Sequence, residues 1–320
     1  MHNVKRGHPS SKHKDQAKIV QYLALTDDVL TRKKSKDYSS EAFDLTTRLL
    51  KINPEFYTIW NYRRNICLQG IFPLSSLEAI HGVLSDDLAF TMNALKGHPK
   101  VYWIWNHRRW CLENIPNAPN ESDPQIWKKA CWERELAVVE KMLDADARNF
   151  MAWDYRRYVL GNMPVSRTER AELAYTSRKI ESSFSNFSAW HQRSKVYTTL
   201  CAREKLDFKQ QELELVRNAM YTDPDDQSVW IYHRWLIGRG GDVNLLQREI
   251  AAIEELLNEQ PDSKWCIESI VHYKRLLLRK HGEAVDTEVL KHDCQRLLLQ
   301  LRTIDPLRRQ RYEDMAKTLA

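Results

Sequence analysis

The chain has 320 residues, 42% of them hydrophobic and 10% aromatic, with only nine glycines, so it can bury a large core and is neither a disordered chain nor a loop-rich β protein. Its 49 basic residues are interspersed with 43 acidic ones for a net charge of +6, a balance that argues against the sustained basic stripe of a nucleic-acid scaffold. No apolar run approaches the roughly 20 residues of a membrane helix, Met1 to Val20 is too polar for a signal peptide, and six cysteines without a Cys-x-x-Cys pair read as reduced core thiols; a soluble, cytoplasmic protein is expected.

Residues 1–20 carry Lys5, Arg6, Lys12, Lys14 and Lys18 against Asp15. They read either as a solvated tail or as a docking arm for an acidic partner, ahead of a single helical domain over 21–320. His2 on that tail is in principle a competent metal ligand. The first full unit runs from about Glu41 to Ile71, with Ala42, Leu45, Leu49 and Ile52 on one face, followed by Asn53-Pro54 and then Trp60. Later first helices repeat the spacing: Trp132, Leu136, Val139 and Leu143, then Leu246, Ile250, Ile253 and Leu257. Asn53-Pro54, His98-Pro99 and Asp223-Pro224 look like an N-cap before a proline at the first position of a second helix. Asn114 to Pro124 reads as a surface loop and Gly238 to Asp242 as a break.

A tryptophan stands seven residues after Asn53, His98, Asp146, Ser183 and Asp223, giving Trp60, Trp105, Trp153, Trp190 and Trp230. Their spacing is that of a helical hairpin. Arginines follow three and four residues later, where each is expected to lie over the preceding ring: Arg63 and Arg64, Arg108 and Arg109, Arg156 and Arg157, Arg193, and Arg234. After Trp230 the pattern weakens: Trp265 is followed by Glu268 and Ser269 where arginines should be, and Tyr312 takes the tryptophan slot after Asp305-Pro306. The expected fold is all-α, an α-α superhelix: a crescent solenoid of six to seven stacked, tetratricopeptide-like hairpins.

Residues present in every copy serve packing, so the tryptophans and their arginines are read as structural and function is sought where copies differ; His107, His191 and His233, on the tryptophan-bearing helices, are read as packing or interface residues. Five residues before each tryptophan stand Glu55, Lys100, Arg148, Ser185 and Asp225, expected just inside the second helix. A helix N-terminus favours acids, and Lys100 and Arg148 break that rule. Two bases in consecutive repeats are either solvated or form a site for an anion such as a phosphate.

The repeated Pro-x-x-Tyr-x-x-Trp-x-x-Arg-Arg motif, in five phased copies from about Glu41 to Tyr312, resembles the α subunits of protein prenyltransferases. The opening Met1-His2-Asn3-Val4-Lys5-Arg6, Lys100-Val-Tyr-Trp-Ile-Trp-Asn-His-Arg and Asp226-Gln-Ser-Val-Trp230 are most similar to the Rab geranylgeranyltransferase (type II) group of fungal type, without the long proline-rich extension of mammalian farnesyltransferase α subunits or the extra domains of animal type II subunits. The resemblance implies a helical-repeat subunit wrapped around a β subunit that holds zinc and the lipid pocket. It implies transfer of geranylgeranyl from geranylgeranyl diphosphate to C-terminal cysteines of Rab GTPases presented by a Rab escort protein. It also implies that Lys100 faces the diphosphate, that Tyr102 lines the same edge, and that Arg148 and Asn149 lie near it. Where the family usually has a histidine, this chain has Met151 after Asn149-Phe150. Trp103 replaces a polar residue of CaaX-type subunits, which favours type II. Two rivals remain: the α subunit of farnesyltransferase or type I geranylgeranyltransferase, and a non-enzymatic tetratricopeptide or RNA-processing scaffold.

Overall fold

The computed structural model describes residues 9–204 and 209–319, with side chains from residue 16. Among the described residues there is no strand, and no helix is long and apolar enough to cross a membrane. The helices fall into two compact units, Met1–Ser166 and Arg167–Ala320. The first holds α1 (Pro9–Lys34) and three hairpins: α2 (Ser40–Ile52) with α3 (Tyr57–Ile66), α4 (Leu77–Gly97) with α5 (Tyr102–Asn114), and α6 (Ile126–Ala145) with α7 (Phe150–Asn162). The second holds four: α8 (Glu169–Ser182) with α9 (Phe187–Glu204), α10 (Lys209–Thr222) with α11 (Gln227–Ile237), α12 (Val243–Glu259) with α13 (Lys264–Lys280), and α14 (Thr287–Ile304) with the short α15 (Arg309–Lys317). Helix α1 spans the boundary expected at residue 20, and His2 lies outside the described residues.

The expected first-helix stripes are buried in α6, at Trp132, Leu136, Val139 and Leu143. In α2 the stripe turns slightly, burying Leu50 and leaving Ile52 exposed. The turns differ from expectation. Asn53, His98, Asp146 and Asp223 do not start the second helix; their amides close the first one, as in Asn53 to Leu49 O at 2.9 Å and Asp146 to Met142 O at 3.0 Å. The side chains of Asn53, Asp146 and Asp223 then accept from the amide two residues on, making an Asx turn. Each second helix begins only three residues before its tryptophan. The reason is visible in the indole, whose Nε1 donates to the carbonyl six residues back: Pro54 for Trp60, Pro99 for Trp105, Ala147 for Trp153, Phe184 for Trp190 and Pro224 for Trp230, all at 2.7 to 3.0 Å. A helix starting at the proline would have taken that carbonyl for its own ladder.

The arginine three residues after the tryptophan does not lie over the indole, as expected from spacing. Arg63, Arg108 and Arg193 are buried and reach the first helix of the following hairpin, where Asp87, Glu135 and Glu212 each hold a guanidinium at 2.5 Å. Their other nitrogens return to the first helix of their own hairpin, at Thr46, Thr91 and Thr176. The ring that meets the indole comes from the next hairpin: His107 on Trp60, Tyr155 on Trp105 and Tyr232 on Trp190, each with centroids 4.8 Å apart. At these three junctions, two in the first unit and one in the second, neighbouring hairpins are thus joined by one buried ion pair and one ring contact. At the end of the chain an acid on a second helix is the buried partner: Glu268 of α13 is held by Arg311 of α15 at 2.8 Å. Tyr312 fills the last tryptophan slot, fully buried and donating to Asp305 at 2.8 Å. Gly70 is required by close approach, since a Cβ there would run into the Tyr38 carbonyl.

Candidate functional site

Lys100 lies in the turn before α5, two residues short of the helix and not inside it. Its side chain is 63% exposed and its Nζ stands 3.3 Å from Oδ2 of Asp146, the residue that closes α6. The other carboxylate oxygen of Asp146 accepts from the Arg148 amide at 3.1 Å. Asp146 was visible in the sequence only as the polar residue seven before Trp153, and the structure makes it the partner of Lys100. Arg148 is exposed in the same turn. The two bases therefore share their surroundings with a carboxylate, which tempers the bare positive site read from the repeats.

Asn149 is fully buried. Its Oδ1 caps α7 through the amides of Met151 and Ala152, and its Nδ2 donates to Pro99 O at 3.2 Å. Both ends of the Asn149 amide thus join the Lys100 turn to α7.

Tyr102 opens α5 and is 60% exposed, beside the half-exposed Trp103, which packs 5.2 Å from Tyr57 of α3. A cavity of about 260 Å³ lies between α5 and α7, lined by Tyr102, Trp105, Asn106, Arg109, Phe150 and Asp154. Arg109 and Arg157, each the second arginine of its pair, turn to Asp154 at 2.6 and 3.4 Å, and Arg109 lies over the Tyr158 ring. The aromatic three before the tryptophan recurs as Tyr57, Tyr102, Phe150 and Phe187, yet each is at least half exposed. Repetition alone suggested packing; exposure marks this slot as facing something else.

Below this surface, Asp87, His107 and Cys111 bring possible metal-ligand atoms within 4.8 Å of one another. The grouping does not fit a metal, because both oxygens of Asp87 are held by Arg63 and one by His107. Nδ1 of His107 accepts from Arg64 at 3.3 Å, so Nε2 carries the proton given to Asp87 at 2.8 Å and the ring is neutral. Burial pushes His107 down to about 4. Burial alone would raise Asp87, but the hydrogen bonds from His107 and Arg63 bring it to about 2. His107 and His233 are packing residues, both fully buried.

Comparison with known proteins matches residues 39–70, 84–115, 132–163, 169–200 and 209–240 to the protein prenyltransferase alpha subunit repeat. The chain is 40% identical to the geranylgeranyl transferase type-2 subunit alpha of Schizosaccharomyces pombe over 96% of its length and 93% of the relative's, and 34% identical to that of Saccharomyces cerevisiae over 98% of both. The human geranylgeranyl transferase type-2 subunit alpha is 37% identical over 72% of the chain, a stretch that is 40% of the human protein. Among solved structures, Candida albicans protein geranylgeranyltransferase-I complexed with GGPP has a chain with TM-score 0.73 and 19% identity, covering 94% of this chain and 91% of that one, a likeness of fold.

Proposed function

The chain belongs to the protein prenyltransferase α-subunit family, and from that premise we propose that it is the α subunit of a heterodimeric, cytoplasmic Rab geranylgeranyltransferase. The observation that carries this reading is the near end-to-end identity with fungal type-2 α subunits. In it, residues 21–320 work as one repeat domain, the exposed aromatics Tyr57, Tyr102 and Phe150 meet a β subunit, and a Rab escort protein presents the Rab GTPase.

The reaction joins a cysteine sulfur to C1 of geranylgeranyl diphosphate and breaks the C1–oxygen bond, releasing diphosphate. Zinc belongs to the β subunit in this reading, where it would hold the cysteine as thiolate. This chain's part is electrostatic. Negative charge grows on the diphosphate as the bond breaks, and a cation fixed beside it lowers the barrier more than it tightens the ground state. Lys100 is the cation this reading assigns: exposed, placed in the turn before α5, and held by an ion pair weak enough to exchange for a diphosphate oxygen. Tyr102, one helical step beyond, lines the same edge with its hydroxyl.

The test is co-expression with candidate β subunits, followed by transfer of labelled geranylgeranyl diphosphate to a Rab acceptor with and without escort protein. Transfer that needs both the β subunit and the escort protein supports the reading. Transfer to a CaaX acceptor without escort protein would make this a CaaX-type subunit, and no β-subunit association would leave only a scaffold.

A further inference from the structure

Between the second and third hairpins the residue five before one tryptophan, Lys100, meets the residue seven before the next, Asp146, across 3.3 Å. In the junction before it the same two slots hold Glu55 and His98, and among the described residues these form no ion pair. The Lys100–Asp146 pair is therefore not imposed by the repeat.

Asp146 has little freedom. Its amide closes α6 on Met142 O at 3.0 Å, its carbonyl accepts from the Asn149 amide at 3.1 Å, and Oδ1 accepts from the Arg148 amide at 3.1 Å, which leaves Oδ2 to face Lys100. On the other side the carbonyl of Pro99, next to Lys100, is held by Trp105 Nε1 at 3.0 Å and by Asn149 Nδ2 at 3.2 Å. The two turns are thus tied to each other through their backbones, while the exposed lysine stem is not. The ammonium can leave and the carboxylate stays.

A fixed carboxylate beside a mobile ammonium competes with any other anion for that ammonium. Against the lipid diphosphate the competition costs some affinity, which burial of the apolar lipid offsets. Inorganic diphosphate has lost the lipid, so against the product the same competition favours an empty site.

We propose that Asp146 is a positioning residue acting through Lys100: it holds the ammonium at the edge of the empty site and reclaims it from inorganic diphosphate once transfer is complete. The proposal rests on the assignment of Lys100 made above, and it gives a role to a residue that the repeat presents only as the polar start of a turn.

The test substitutes Asp146→Asn. The first hairpin already carries asparagine in this slot, where Asn53 makes the same turn by accepting from the Glu55 amide at 3.1 Å, so the variant keeps the turn and loses the charge. The inhibition constant of inorganic diphosphate against geranylgeranyl transfer is measured for the αβ enzyme carrying the unaltered chain, Asp146→Asn, Lys100→Ala or both substitutions. Asp146→Asn is expected to lower the constant about threefold to fivefold at low salt, with a difference that shrinks as ionic strength rises and an unchanged melting temperature. A gain in affinity is not what a damaged turn produces. In the Lys100→Ala background the same substitution should change the constant much less, because no ammonium is then contested. A constant unchanged or raised in Asp146→Asn, or lowered equally with and without Lys100, would overturn the proposal while leaving the assignment of Lys100 intact. If Lys100→Ala by itself left the constant where it was, that assignment would fall and this proposal with it.

Discussion

Arg108 meets Glu135 of the next hairpin through two hydrogen bonds, at 2.6 and 2.5 Å, with both side chains 2% exposed. A third bond, from its Nη1 to Thr91, ties the same guanidinium to its own hairpin. Arg108→Ala leaves a buried carboxylate unpaired and is expected to destabilise the protein by about 3 to 5 kcal/mol. Denaturant melts read this directly. Arg108→Lys should recover little, since one ammonium cannot span both oxygens and the threonine.

Trp153→Ala removes a ring that is 1% exposed and its hydrogen bond to the Ala147 carbonyl. The cavity is expected to cost about 3 to 5 kcal/mol. Trp153→Phe fills most of the volume but lacks the donor, so it should cost less, about 1 to 3 kcal/mol for the orphaned carbonyl and the gap together. A melting temperature equal to the parent's for the alanine variant would refute the packing role.

The neutral, buried His107 predicts a pH dependence. Its affinity for protons is pushed down from 6.5 to about 4 in the folded protein. Between those values the unfolded chain takes up a proton that the folded chain refuses, so this residue's contribution is intact above about pH 6.5 and is lost as pH falls towards 4. Asp87, lowered from 3.8 to about 2, continues the loss in the next window down. In His107→Gln the fall in stability between pH 6.5 and 4 should be shallower than in the parent. The fourth copy already has glutamine in this slot, where Gln192 donates to Glu172 at 3.4 Å.

Lys100→Ala is expected to leave the αβ complex and the melting temperature unchanged, because the pair it loses, with the half-exposed Asp146, lies at the surface. Single-turnover prenyl transfer should slow by about 2 kcal/mol, roughly thirtyfold. An unaltered single-turnover rate would show that the departing diphosphate is received elsewhere.

The repeat period, the all-helical class and the buried tryptophans were determined by sequence alone, because periodicity and large apolar rings leave a chain little choice of what to bury. The tryptophan beat even located the seventh hairpin at Tyr312, where the motif has worn away. What each repeated arginine does could not be read the same way. Helical spacing placed Arg63 and Arg108 over their own indoles, whereas tertiary packing supplied Asp87 and Glu135 from the following hairpin, and a buried guanidinium must follow a carboxylate over a ring. Likewise Lys100 was singled out by its departure from the helix-end charge rule, although it proved to lie before the helix. Its partner Asp146, 46 residues along the chain, became its neighbour only when two hairpins stacked. Local spacing dictates which faces are apolar; which charges meet across those faces is decided by long-range packing, and only the folded chain reveals it.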